Sequence, residues 1–202
     1  MTIDQYKVNV PKGESSDYKI KKFIVSEEDS RLDSMRSFTF SNRGRYTPAG
    51  EYTSLTCRGE IIMSDTPNEI RDHHEAVRMA KGSVLINGLG IGMVLQAVLE
   101  KPEVTDVTVI ELSPDVISLV GKHYQDKYGS RLQIINANTF EWTPPKGKRY
   151  GMVWHDIWTY ICYDNLPEMH KLHRKYGRHA DWQGSWCRWQ CENNQMGKRR
   201  RS

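Results

Sequence analysis

Apolar and polar positions in this chain change their rhythm near residue 65. Before it, short runs of period two dominate. Tyr6-Lys7-Val8-Asn9-Val10 alternates until Pro11-Lys12-Gly13 breaks it, and Tyr18 to Val25 is a second run that closes at the acidic Ser26-Glu27-Glu28-Asp29-Ser30. Ser37-Phe38-Thr39-Phe40-Ser41 places both phenylalanines on one face, and Asn42-Arg43-Gly44-Arg45 reads as a turn. Tyr52 to Cys57 and Glu60 to Met63 follow, separated by Arg58-Gly59. Alternation over a few residues, bounded by turn formers, predicts strands. Residues 1–65 are therefore expected to form a small β-rich subdomain.

Beyond residue 65 helical periods alternate with short apolar runs. Asp65-Thr66-Pro67-Asn68-Glu69 is a helix start, with Thr66 as N-cap, Pro67 at the first helical position and Glu69 closing a capping box. This helix is expected to reach about Ala80 and to carry Ile70, His74, Val77 and Lys81 on one stripe, with His73 alongside. Val84-Leu85-Ile86 then suits a buried strand, and Ile91 to Glu100 a helix with Val94, Leu95, Val98 and Leu99 at helical spacing. Val107 to Ile110 is a second core strand. Ser113 or Pro114 opens a helix through Val116, Ile117, Val120, His123 and Tyr124, ended by Tyr128-Gly129. Leu132 to Ile135 and Tyr150 to Asp156 are the third and fourth strands, and Asn165 to Tyr176 a further helix. Strands alternating with helices predict a mostly parallel sheet over residues 66–180. Gly177 to Ser202 holds no apolar β run, but Trp182, Trp186 and Trp189 fall on one helical stripe. Residues 181–202 are thus expected to be a Trp-rich helix and a basic tail, the helix covering the sheet edge. A second subunit is the alternative cover, and a sheet this short favours a homo-oligomer, a dimer.

Composition narrows the classes. With 202 residues, 38% of them hydrophobic, the chain can bury a sizeable core. No apolar run approaches the roughly 20 residues of a membrane span, and Met-Thr-Ile-Asp-Gln-Tyr has no signal-peptide character, so a cytoplasmic protein is expected. The net charge of +4 comes from Lys198, Arg199, Arg200 and Arg201, which leaves 25 basic against 25 acidic groups in the body. Such a tail could touch nucleic acid through phosphate contacts, though a solvated end is the commoner reading. Cys57, Cys162, Cys187 and Cys191 are read as reduced thiols. No metal site is expected, since Cys187 and Cys191 lack a second pair and His170 and His173 sit among Lys171, Arg174 and Lys175.

The chemistry concentrates between Val84 and Glu111. Asn87-Gly88-Leu89-Gly90-Ile91-Gly92 follows the first core strand, and Glu111 ends the second, 19 positions after Gly92. Glycines let the chain turn sharply and approach a ligand without a Cβ, and an acid at the next strand's end accepts hydrogen bonds from ribose hydroxyls. The G-x-G-x-G spacing departs from the G-x-G-x-x-G of dinucleotide sites. Residues from about 60 to 160 resemble the spermidine synthase-like branch of the class I S-adenosylmethionine-dependent methyltransferases. Val84 to Gly92 is similar to its V-L-x-I-G-G-G-x-G, and Val107-Thr108-Val109-Ile110-Glu111-Leu112-Ser113-Pro114-Asp115-Val116-Ile117 to its V-x-x-V-E-I-D-P-x-V-I. Tyr150 to Asp156 is similar to Y-D-x-I-x-x-D, and His74-Glu75 to the end of D-E-x-x-Y-H-E.

The resemblance implies a Rossmann-like, doubly wound fold of the class I methyltransferase type, C-terminally truncated, behind the β-rich subdomain. It implies S-adenosylmethionine as cofactor, with Asn87, Gly88, Leu89, Gly90, Gly92, Glu111, Leu112, Asn138, Thr139 and Asp156 around it. Asp156, and His155 as a general base, would be catalytic; Asp72, His73, His74 and Trp158 would border a small-molecule acceptor. Methyl transfer is the expected reaction, because three departures weaken the alternative, aminopropyl transfer. Asp156 is followed by Ile157, Trp158 and Thr159 and so lacks the second acid of D-x-x-D, His73 replaces a tyrosine, and Asn138 replaces an aspartate. A binding protein without activity is a further alternative.

Overall fold

The computed structural model describes residues 6–39 and 46–199 and sorts their strands into two sheets. The first is antiparallel, in the order β1-β2-β3-β4, from β1 (Gly13–Ser15), β2 (Tyr18–Val25), β3 (Gly50–Cys57) and β4 (Glu60–Ser64). β2 and β3 pair along their whole length, Tyr18 opposite Cys57 and Val25 opposite Gly50.

Two expectations for this half are corrected. Tyr6 to Val10 forms no strand. Its alternation is one of burial: Tyr6, Val8 and Val10 enter the core, while Val8 N–H donates to Asp65 Oδ2 (3.1 Å) and Gln96 Nε2 to Lys7 O (2.9 Å). Side chains of other elements therefore satisfy the backbone that a ladder would otherwise serve. Likewise Ser26 to Thr39 is not a turn followed by a strand but leads into helix α1 (Glu27–Thr39). Ser26 caps it, accepting from Asp29 N–H (3.1 Å) and donating to Asp29 Oδ2 (2.7 Å), and Glu27, Glu28 and Asp29 favour the positive end of the helix dipole. Phe40, Ser41 and the Asn42–Arg45 turn lie outside the described residues.

Helix α2 (Pro67–Met79) crosses to the second sheet. It starts at Thr66 as expected, but Thr66 makes no side-chain cap. Glu69 instead takes Ser64 N–H and Ser64 Oγ, both at 2.7 Å. The buried stripe is Ile70, His73, Ala76 and Val77, so His73 points inward and His74 outward.

The second sheet is wholly parallel, in the order β7-β6-β5-β8-β9, from β5 (Gly82–Asn87), β6 (Val104–Glu111), β7 (Leu132–Asn136), β8 (Tyr150–His155) and β9 (Ala180–Ser185). This is a doubly wound, Rossmann-like arrangement. Helix α3 (Met93–Leu99) joins β5 to β6 and is buried on every side. From β6 the chain passes through α4 (Pro114–Val116), a π-helical turn (Ile117–Gly121) and α5 (Lys122–Tyr128), and α6 (Leu166–Tyr176) joins β8 to β9. The predicted stripe Leu166, Met169, Leu172 and Tyr176 is the buried face of α6.

The C-terminal expectation is corrected. Residues Ala180–Ser185 are a fifth parallel strand, and Trp182 lies in it, its ring stacked on Trp154 of β8 with centroids 6.3 Å apart. Only Trp189 belongs to the terminal helix α7 (Arg188–Arg199), and it is 72% exposed. Among the described residues no helix is long and apolar enough to cross a membrane.

Candidate functional site

Strand order reverses between β5 and β8. From β5 the chain winds outward to β6 and β7, then returns to β8 on β5's other flank. In open α/β sheets the carboxyl ends of the strands gape at such a reversal and leave a crevice. Here the ends of β5 and β8 stay tied at their base, Asp156 N–H donating to Asn87 O, while on the other flank Gly88 N–H donates to Ile110 O of β6, both at 2.8 Å. Gly88 is obligatory by geometry, since its φ is 101° and a Cβ there would sit 2.0 Å from Asp156 O. Gly92 answers to packing, with φ at 76° and Tyr124 filling the place of a Cβ while its hydroxyl donates to Ile91 O (2.9 Å).

The crevice opens into a cavity of about 690 Å³, the size of small-molecule sites. Gly88, Gly90, Glu111, Leu112, Asn138, Thr139, Asp156 and Trp158 line it from the strand ends. The antiparallel sheet closes the opposite side with Tyr18, Leu55, Ile62 and Met63, and α2 contributes Glu69 and His73. Tyr160, beyond β8, ties this roof down by donating to Glu60 Oε2 (2.7 Å). Met63 Sδ accepts from Ile91 N–H at 3.4 Å and so rests on the glycine loop.

Three acids reach this space and no Lys or Arg lines it among the described residues. Glu111 is fixed by two backbone donors, Leu89 N–H to Oε2 and Ser113 N–H to Oε1, both at 2.8 Å. Each oxygen keeps a lone pair for a ligand hydroxyl. Asp156 keeps 14% of its side chain open, and burial, then the nearby Glu69 and Glu111, push its carboxyl up to about 8. Burial also raises Glu69, against the lowering effect of its bonds to Ser64. His73 Nε2 lies 3.7 Å from Asp156 Oδ2, but burial and His74 take its imidazole down to about 3. At neutral pH the two groups are a neutral carboxylic acid facing a neutral imidazole, not an ion pair. His73 Nδ1 is buried without a hydrogen bond.

The other sequence-derived candidates are placed differently. Asn138 lines the cavity, but its Oδ1 accepts from Phe140 N–H (3.0 Å), which shapes the loop after β7. Asn87 and His155 point to the sheet's far face, where they bond to each other (2.8 Å between Nδ2 and Nδ1). The Asn87 amide donates, so His155 carries its proton on Nε2, directed to Gln183 Oε1 at 3.4 Å. Burial and His173 lower that imidazole to about 3. His155 is fully buried and does not line the cavity. His74 lies exposed against the Tyr6 ring, and Asp72 lines a separate groove with Glu75, Trp154 and Arg188. Sequence reasoning missed Glu69, Tyr18, Met63 and Trp186 as cavity residues. For Glu69 a signal existed: it stands four residues before His73, on the same helix face.

No family model matches the chain, and neither does any curated protein. Solved structures similar to it include a S-adenosylmethionine-dependent methyltransferase from Clostridium acetobutylicum, at 12% identity and a TM-score of 0.41, with 55% of this chain and 43% of that one covered. The CcbJ methyltransferase from Streptomyces caelestis gives 20% and 0.44, covering 55% and 44%. Spermidine synthase from Thermotoga maritima gives 17% and 0.44, covering 81% and 52%. The chain spans about half the length of these solved structures.

Proposed function

We propose that the cavity binds S-adenosylmethionine and that the chain transfers its methyl group to a small acceptor entering beside Trp158. One observation carries the reading: an apolar cavity at the strand reversal is lined by both a pre-oriented Glu111 and Asp156, and by no Lys or Arg among the described residues. The group fits these residues. Its ribose offers two hydroxyls to the free lone pairs of Glu111, its adenine suits the slot of Leu112, Ala137 and Phe140, and its positive charge complements the surplus of acids. When bound, the group supplies an already activated methyl on a positively charged sulfur.

What remains for the protein is positioning and exclusion of water. The glycine loop lets the backbone pass close beneath the ligand. Met63 and Tyr18 roof the site, and Glu111 fixes its register. Asp156 holds a proton in the free protein and surrenders it when a cation arrives. His73, held neutral by its burial, lines the cavity beside Asp156 and can offer a hydrogen bond to the acceptor but not take its proton. His155 serves the scaffold: with Asn87 it braces β5 against β8 from behind.

Aminopropyl transfer has less support, because no acid follows Asp156 within the cavity-lining loop Ile157–Thr159. Incubation with S-adenosylmethionine and a panel of small amines, phenols and carboxylic acids, read by mass spectrometry, separates the cases. S-adenosylhomocysteine must accumulate with a methylated product. Methylthioadenosine from a decarboxylated donor would instead mark aminopropyl transfer, and binding without turnover would leave a binding protein.

A further inference from the structure

We infer that Met63 is a displaceable plug: its thioether holds the place on the glycine loop that the amino-acid tail of the ligand takes, and the tail's carboxylate replaces it on Ile91 N–H. This rests on S-adenosylmethionine being the ligand of the cavity. The order of the strand ends orients that ligand. Ala137 and Phe140 follow β7, Glu111 ends β6, and Gly88 to Gly92 follow β5. With the adenine at Leu112 and Phe140 and the ribose on Glu111, the tail runs on over the β5 loop. There Gly88, Leu89 and Gly92 donate their N–H groups to Ile110 O, Glu111 Oε2 and Leu89 O, each at 2.8 Å. The N–H of the buried Ile91 meets the sulfur of Met63 instead, at 3.4 Å. A thioether is a weak acceptor, so this donor is poorly matched in the free protein. A carboxylate is a far stronger acceptor.

The backbone of the roof aims Met63 at this loop. Where β3 pairs with β4, Leu55 faces Met63 and Thr56 faces Ile61, which leaves Ile62 as a bulge. Neighbours on a regular strand point to opposite faces, but the bulge lets Ile62 and Met63 both line the cavity. A Cβ on Gly90 would collide with Met63 Sδ, so the thioether lies in the space that the glycine opens for a ligand. The Met63 side chain is half-buried, unbranched and flexible, and can swing away without moving the strand that carries it. Glu69, bonded to the adjacent Ser64 through its N–H and Oγ (both 2.7 Å), lines the same space and offers a carboxyl to the tail's ammonium.

Two ligands that differ in the tail test this on the full chain. S-adenosylhomocysteine carries the amino-acid tail, and methylthioadenosine lacks it. Met63→Leu keeps the volume of the plug but removes its sulfur, leaving Ile91 N–H unpaired until the tail arrives. By calorimetry this variant must bind S-adenosylhomocysteine at least about threefold more tightly than the wild type does, and methylthioadenosine equally. In wild-type protein isotope-labelled at the methionine methyls, the Met63 resonance must move with S-adenosylhomocysteine and hold its free position with methylthioadenosine, a measurement that needs no variant. Unchanged or weaker S-adenosylhomocysteine binding by Met63→Leu overturns the proposal. So does an equal movement of the methyl resonance with both ligands, which makes Met63 a fixed roof. Failure of both ligands to bind the wild type removes the S-adenosylmethionine reading, and the plug with it.

Discussion

Cation binding in the cavity must expel a proton from Asp156. In the free protein this carboxyl ionises near 8, against an ordinary value of 3.8, because it is buried and faces Glu69 and Glu111. A sulfonium beside it favours the charged form. If the bound carboxyl returns toward its ordinary range, only the ionised fraction of the free protein binds well. That fraction is about one percent at pH 6 and one half at pH 8, so affinity must rise about 50-fold between them, or about 2.3 kcal/mol. Near pH 7 about 0.9 of a proton must leave per ligand bound. His73, which ionises near 3, stays neutral throughout and adds nothing to the slope. Calorimetry at one pH in buffers of different ionisation enthalpy counts the released protons, and a pH series gives the slope. Asp156→Asn must flatten the profile at the weak, low-pH level of the wild type. Glu69→Gln must keep the slope but move it to lower pH, since Glu69 is one cause of the raised value. No proton release, together with flat affinity from pH 6 to 8, would refute the reasoning.

Four further outcomes follow from the same structure. An acid with a folded pKa above its unfolded one binds more protons when folded, so the free protein must lose stability as pH rises from about 4 to about 8; urea melts must show Asp156→Asn stabilising, and more at pH 8 than at pH 5. Asp65→Ala orphans the buried N–H groups of Val8 and Thr53 (3.1 and 2.6 Å from its oxygens) and must cost about 2–5 kcal/mol in the same melts. Gly92→Ala sets a Cβ 2.1 Å from Tyr124 at a φ of 76°, so its melting point must fall; an unchanged value would disprove the packing role. His155→Asn loosens the brace between β5 and β8 and must lower stability; if Asp156 stays in place, affinity at pH 8 changes less than about threefold, whereas a general base would abolish turnover.

Local pattern carried much of this structure. The strand, glycine loop, helix and acid of Val84–Glu111 were legible because each depends on neighbours in sequence: apolar runs, φ > 0 positions and helix formers. The four core strands and α6 were legible for the same reason. β9 was not, because Ala180–Ser185 has no apolar run; it is a strand through pairing with β8 and through Trp182 meeting Trp154, a long-range contact. α1 was hidden behind an alternating pair of phenylalanines, although its Ser26 cap was readable. In the site, sequence placed Glu111 and Asp156 at strand ends, where the cavity is. It could not show that Glu69, Tyr18 and Met63 close over them, because the fold of one sheet against the other brings them there. The proton on Asp156 is hidden for the same reason, since burial by the folded chain and then two acids from other elements hold it there.

The central claim, a sulfonium nucleoside held by Glu111 in this cavity, is tested most directly by calorimetric titration of wild type and Glu111→Ala with S-adenosylmethionine at pH 8. One ligand per chain must bind the wild type. The variant, which loses the ribose acceptor and frees the N–H groups of Leu89 and Ser113, must bind at least about tenfold more weakly, a loss of about 1.4 kcal/mol. No binding to the wild type, or equal binding by both proteins, would contradict the account.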